Sequence, residues 1–173
     1  MIKAIIYTSN TGTTVQYAKL LGEKTGLPVC SLSESAVPKD SEIIYLGWVM
    51  ASSIKGYKKA ARQYRVRAVC GVCMGATGSQ LAEVRKQNAV PVCTPVFTMQ
   101  GGFDVQKLHG VYRLMMDVMV QSIGKGLAEK KDRTPDEDIM LDMILHGGNH
   151  VNTEHLKNVL DWYAAEQAKA EPR

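Results

Sequence analysis

No stretch of this chain holds the roughly 18 uninterrupted apolar residues that a membrane-spanning helix needs. The nearest approach, residues 114–120, is broken by Asp117. Internal repeats and low-complexity tracts are also absent, which sets aside solenoids and disordered tails. Cysteine is scarce, with only Cys30, Cys70, Cys73 and Cys93, and all four lie in or beside apolar strand patterns. That placement points to reduced thiols, not a disulfide framework. The first residues run directly into an apolar pattern, without the basic region and long apolar core of a secretory leader. A cytoplasmic protein is therefore expected. No Ser-His-Asp order, paired-carboxylate signature or metalloprotease motif is present, so catalytic side chains stay unassigned.

The bulk composition suits one globular domain. In 173 residues, 45% are hydrophobic and 22% charged, which is ordinary for a chain that buries a real core. The formal net charge of +4 is mildly basic. It fits attraction to small anions or an acidic partner and is too weak to indicate nucleic acid.

Apolar runs alternate with helical patterns along the chain. Strands are predicted at 2–7, 28–31, 42–47, 68–72 and 91–98, and helices at 13–25, 54–64, 79–87, 105–128, 136–145 and 153–168. Residues 32–40, punctuated by Pro38, have room for a turn of helix at most. Nearly continuous apolar strands separated by helices define an α/β protein with a parallel sheet covered on both faces.

The segment Ser9-Asn10-Thr11-Gly12-Thr13-Thr14 follows the first apolar run and precedes the amphipathic pattern of Val15, Tyr17, Ala18 and Leu21. Strand, hydroxyl-rich turn, helix: that order directs backbone N–H groups and a positive helix end toward an anion. Gly12 permits close backbone approach, and the hydroxyls and the Asn10 amide add donors. No lysine or arginine lies in the loop, so the Gly-Lys-Ser/Thr nucleotide loop is excluded, as is the three-glycine dinucleotide fingerprint. Neutral donors alone suit an enclosed phosphomonoester. An ordinary Ser/Thr-rich capped turn is the plainer account.

Ser9-x-Thr11-Gly12-x-Thr14 after an N-terminal strand resembles the FMN phosphate loop of the flavodoxin family. The resemblance implies a flavodoxin-like three-layer sandwich, with a five-stranded parallel sheet of order 2-1-3-4-5 and FMN as cofactor. In such a sheet, ligands sit beyond the carboxyl ends of the strands, where strand order reverses. Two further loops would then share the site. One contains Trp48, Val49, Met50 and Ala51; the other contains Cys73, Met74, Gly75 and Ala76. Their small, apolar and hydroxyl residues suit a flat, neutral ring system. The backbone near Met50 and Gly75 is expected to meet the flavin edge. Unlike typical flavodoxins, which are strongly acidic, this chain is basic.

Beyond the fifth strand the chain continues through Gly101-Gly102-Phe103-Asp104, a long apolar helical pattern and two more helices. The runs Tyr112-Arg113-Leu114-Met115-Met116 and Val151-Asn152-Thr153-Glu154-His155-Leu156 resemble the flavodoxin-domain family that includes menaquinone-dependent protoporphyrinogen IX dehydrogenase. That resemblance implies electron transfer or flavin-dependent oxidation-reduction, with a redox protein or a small electron donor or acceptor as partner. Peripheral membrane contact and oligomeric state are left open. The alternative is a flavodoxin-like binding or regulatory module that has lost its cofactor. The long helix, apolar at Leu108, Val111, Tyr112, Met115, Val118 and Met119, is expected to pack as core, the alternative being a methionine-rich contact surface for a lipid, quinone or partner. Residues 101–150 are expected to border the flavin crevice.

Other constellations carry less. Cys70-x-x-Cys73 has no second pair and opens no helix, so buried inert thiols are expected. His146, His150 and His155 are interrupted by Gly147-Gly148, and no metal site is expected. Lys55, Lys58, Lys59, Arg62, Arg65 and Arg67 form the strongest charge cluster. Both a solvated helix face and steering of an acidic partner remain in play.

Overall fold

The computed structural model describes residues 1–103, 110, 113, 114, 117, 118, 120, 121 and 125–170. Strand β1 (Ala4–Thr8) leads into helix α1 (Thr13–Thr25), followed by β2 (Val29–Ser31) and β3 (Glu42–Met50). Then come β4 (Ser53–Ile54), α2 (Tyr57–Gln63), β5 (Arg65–Cys73), α3 (Leu81–Asn88) and β6 (Val96–Gln100). The main sheet runs in the order β2-β1-β3-β5-β6, all parallel, with β4 added antiparallel to β3. It is an open, mostly parallel α/β sheet, with the short antiparallel β4 as its sixth strand.

Both faces of the sheet are covered, which is why its strands read as unbroken apolar runs. Successive side chains point to opposite faces. Ile5, Ile44, Leu46, Cys70 and Val72 gather with Tyr17, Ala18 and Leu21 of α1 in one buried cluster. Ala4, Ile6, Ile43, Tyr45 and Val69 gather with Tyr57 and Ala60 of α2 and Val84 of α3 in the other. Each fully buried leucine or isoleucine contributes about 1.5–3 kcal/mol.

Several boundaries differ from the sequence expectation. The third strand continues past Gly47 to Met50, and Ser53–Ile54 pairs back on it, so α2 begins at Tyr57 and not at Ile54. At the expected strand 91–98, Thr94 N–H bonds Pro91 O at 3.0 Å in a turn, and the strand starts only at Val96, after Pro95. Most of the expected helix 105–128 lies outside the described residues, including Met115, Met116 and Met119. Its last residues belong to α4 (Lys125–Glu129). Val118, a described member of the stripe expected to pack as core, is 59% exposed, and Leu114, off that stripe, is 65% exposed.

Helix α5 (Pro135–His146) follows α4. A 3-10 turn (Thr153–Leu156), capped by the Asn152 side chain, opens the final helix α6 (Lys157–Ala170). Leu156 and Val159 close the first core cluster over the α1 face. Between β6 and this turn the chain makes an excursion whose two ends are joined. Strand β7 (Gly102–Phe103) pairs antiparallel with β8 (Gly148–Asn149). A side chain at Gly102 would collide with Gly148 O.

Candidate functional site

The loops after β1, β3 and β5 emerge from one edge of the sheet. Parallel register sets Thr8 beside Gly47 and Trp48 beside Val72, so the segments beginning at Ser9, Trp48 and Cys73 are neighbours. Strand order reverses between β1 and β3, and open α/β sheets generally take their ligands at the carboxyl edge beside such a reversal.

In the first loop, Gly12 takes φ 103°, a left-handed conformation that only glycine adopts freely, and it caps α1. Its N–H donates to Ser9 Oγ at 3.3 Å. The first turn of α1 has neither a side-chain cap nor an acidic residue, so its positive end is uncompensated from within. Ser9 and Thr11 are half-buried and Asn10 is exposed. Thr13 Oγ1 donates to Gly102 O at 3.1 Å, which commits its single proton and leaves only its backbone N–H for a ligand. Thr14 Oγ1 is the one buried side-chain polar atom among the described residues with no hydrogen-bond partner. An unsatisfied buried hydroxyl costs about 1–3 kcal/mol.

The second loop is a closed hairpin. Val49 pairs with Ile54 and Met50 with Ser53. Ala51 and Ser52 turn the chain at φ 47° and 59°, left-handed conformations costing roughly 1–2 kcal/mol per non-glycine residue. Buried Asn88 on α3 holds this turn. Its Nδ2 donates to Ser52 O at 2.8 Å and Val84 O at 2.7 Å, and its Oδ1 accepts Ile54 N–H at 2.8 Å. Trp48 and Met50 are half-buried, and Ala51 is exposed. Val49 packs against the second core cluster. Lys55 Nζ lies 5.6 Å from the Trp48 ring centroid, within cation–π range.

Tyr45 fastens this hairpin to the first loop. Its hydroxyl lies 2.6 Å from Lys55 O and 2.8 Å from Thr8 Oγ1. Gly56, at φ 81°, approaches so closely that a side chain would strike both hydroxyls. Burial pushes the Tyr45 phenol up to about 12.

The third loop folds onto β6. Gln100 N–H donates to Thr77 Oγ1 at 2.9 Å, and Thr98 Oγ1 donates to Ser79 O at 2.7 Å. Gly75 is buried, with an added Cβ only 2.8 Å from Ser79 Oγ, while Met74 and Ala76 are half-buried. Cys73 Sγ lies 3.6 Å from Gly75 O and 3.7 Å from Met99 O. Burial raises the Cys73 thiol to about 11 and the Cys70 thiol to about 12. Thiols of that kind are protonated and inert at neutral pH.

Sequence reasoning assigned no part to Tyr17, Asn88, Gly56 or His155. Tyr17 Oη bridges the strand end and the closing turn, 2.5 Å from Gln100 O and 2.6 Å from His155 Nδ1. Among the described residues, no group of three or more His, Cys, Asp or Glu is arranged to hold a metal ion. No helix of the described residues is long and apolar enough to cross a membrane. The chain matches no protein-family model, and no curated protein matches it.

Proposed function

We propose that the protein is a cytoplasmic FMN-binding flavoprotein of flavodoxin-like fold, its parallel strands in the order 2-1-3-4-5, acting in electron transfer or flavin-dependent oxidation-reduction. The observation that carries this reading is the uncapped N-terminus of α1 beside the partnerless buried hydroxyl of Thr14. An enclosed anion is the ligand that such an end accepts. The donors in this loop are all neutral, which favours a phosphomonoester over a polyphosphate with its metal.

Ser9, Asn10, Thr11, Thr14 and the N–H groups of Thr13 and Thr14 would hold the phosphate. Gly12 supplies the left-handed cap, and the segments Trp48–Ala51 and Cys73–Ala76 would flank the ring. FMN, when bound, supplies one- and two-electron redox chemistry. The chain's own residues bind and orient it, and the apolar core beneath the loops excludes water from its inner side.

A visible absorption spectrum after FMN addition and desalting tests the reading. Retained flavin bands are expected; a colourless protein would overturn it. The closed hairpin and the Thr8–Tyr45–Gly56 junction, held together by the chain's own bonds, support a second reading, a binding or regulatory module that has lost its cofactor. That reading predicts no stabilisation by FMN, whereas binding at a hundredfold excess over Kd adds about 2.7 kcal/mol.

A further inference from the structure

Residues 43–82 hold six basic residues and no acidic one, whereas the rest of the chain holds 15 basic and 17 acidic residues. The protein's entire excess of positive charge therefore belongs to one segment. Of the six, Arg67 is paired, with Glu42 at 2.7 Å and Glu166 at 2.6 Å. Lys55, Lys58, Lys59, Arg62 and Arg65 form no ion pair among the described residues, although Lys130, Arg133, Lys157 and Lys169 all find carboxylates. Lys58, Lys59 and Arg62 are exposed along α2, and Lys55 starts the stripe at the site edge, over Trp48. Asp40, whose N–H bonds Gln63 O, approaches only the far end of the helix.

Of the apolar residues of the same helix, Tyr57 and Ala60 are buried in the core, and only the single methyl of Ala61 is exposed. No apolar side is left to enter a bilayer, as a membrane-surface helix requires. The patch is short and discrete, ending in a hairpin of fixed shape, which suits a complementary protein surface better than a long polyanion.

We propose that Lys55, Lys58, Lys59 and Arg62 form the docking surface for an acidic redox protein, which exchanges one electron per encounter with the flavin beside Trp48. This inference rests on the FMN reading. The partner's reduced centre loses the electron that the flavin gains, and no group is transferred. Complementary charge acts mainly on the encounter rate, raising it 10- to 1,000-fold at low salt.

The test is stopped-flow reduction of the FMN-loaded protein by a reduced, acidic plant-type [2Fe–2S] ferredoxin. It compares wild type with the Lys58→Glu/Lys59→Glu/Arg62→Glu variant at low and at roughly 0.5 M salt. Wild type should lose at least about tenfold in second-order rate at high salt, and the variant about 10- to 100-fold at low salt. All three side chains are exposed, so FMN affinity should be unchanged, and the corresponding triple Gln variant should fall between. Equal rates in wild type and variant, or a rate that rises with salt, would overturn the proposal. So would loss of binding to phosphatidylserine vesicles in the variant while its ferredoxin rate is untouched, because the patch would then serve a membrane. Failure of the wild type to show a flavin band before any ferredoxin is added would remove the FMN reading itself, and is seen separately.

Discussion

The Tyr17 hydroxyl lies 2.6 Å from Nδ1 of His155, which fastens α1 to the turn that opens α6. The same oxygen is 2.5 Å from Gln100 O and accepts the Asn152 N–H at 3.4 Å. A phenol has one proton, and a carbonyl can only accept, so that proton goes to Gln100. His155 must then carry hydrogen on Nδ1 and donate it to Tyr17. The buried end of α1 is thus tied to β6 and to the C-terminal helix through one atom.

Tyr17→Phe should cost about 1–3 kcal/mol, because it strands a carbonyl and two N–H donors around an apolar ring edge. Urea denaturation measures this. A loss below about 0.5 kcal/mol would mean that water replaces the hydroxyl.

Stability should fall steeply in alkali. Burial holds the Tyr17 and Tyr45 phenols near 12, above their ordinary value of 10.0, and holds the Cys73 thiol near 11 and the Cys70 thiol near 12, above 9.0. The unfolded chain gives up these protons first, so the stability they contribute is complete below about pH 9. It is lost as pH climbs through 11 to 12, on the order of 2–3 kcal/mol for each tyrosine. Denaturation midpoints measured from neutral pH to pH 11 should show this decline, and Tyr45→Phe should flatten it. A midpoint constant up to pH 11 would contradict these burials.

Thr14→Val is expected to act with opposite signs on the empty and loaded protein. Replacing an unpartnered buried hydroxyl with a methyl of similar shape should leave the empty protein unchanged or stabilise it by about 1 kcal/mol. The same change should weaken FMN by roughly 1.5–3 kcal/mol while sparing riboflavin, which lacks the phosphate. Calorimetric titration of both ligands decides. Equal losses for the two would place the phosphate elsewhere.

Asn88→Leu removes both bonds that hold the hairpin turn, along with the one to Val84 O of its own helix, and should destabilise the protein by about 2–4 kcal/mol. The Ile54 amide, which Asn88 accepts, should lose its protection from hydrogen exchange before the β1 and β3 amides do. Simultaneous loss at all of them would show that the hairpin and sheet open as one unit.

The layered α/β architecture was legible because period-two side-chain direction and burial on both faces leave a mark that survives without the fold. Ile43, Ile44, Tyr45 and Leu46 show it in four consecutive residues, two for each core. The hydroxyl loop was legible because its chemistry is local. The hairpin was not, since Met50-Ala51-Ser52-Ser53 contains none of the Gly, Asn or Asp that normally marks a left-handed two-residue turn. A buried amide on α3 enforces it from outside the segment. The Tyr17–His155 bond joins residues 138 apart, a separation that no spacing rule reaches. Burial of the Thr14 hydroxyl without a partner is likewise a property of packing, not of its neighbours in sequence.

The two glycine-bearing strands β7 and β8 bring Phe103 and Gly148 side by side. Everything between them departs from and returns to a single point on the domain. The ends need no particular length of chain to bridge them, because the ladder itself fixes their separation. The region can therefore be lengthened, exchanged or replaced by a tight turn while α1, β6 and α6 keep their mutual positions. It is a graft point: the pairing of β7 with β8 holds β6 and the turn before α6 together whatever chain runs between them.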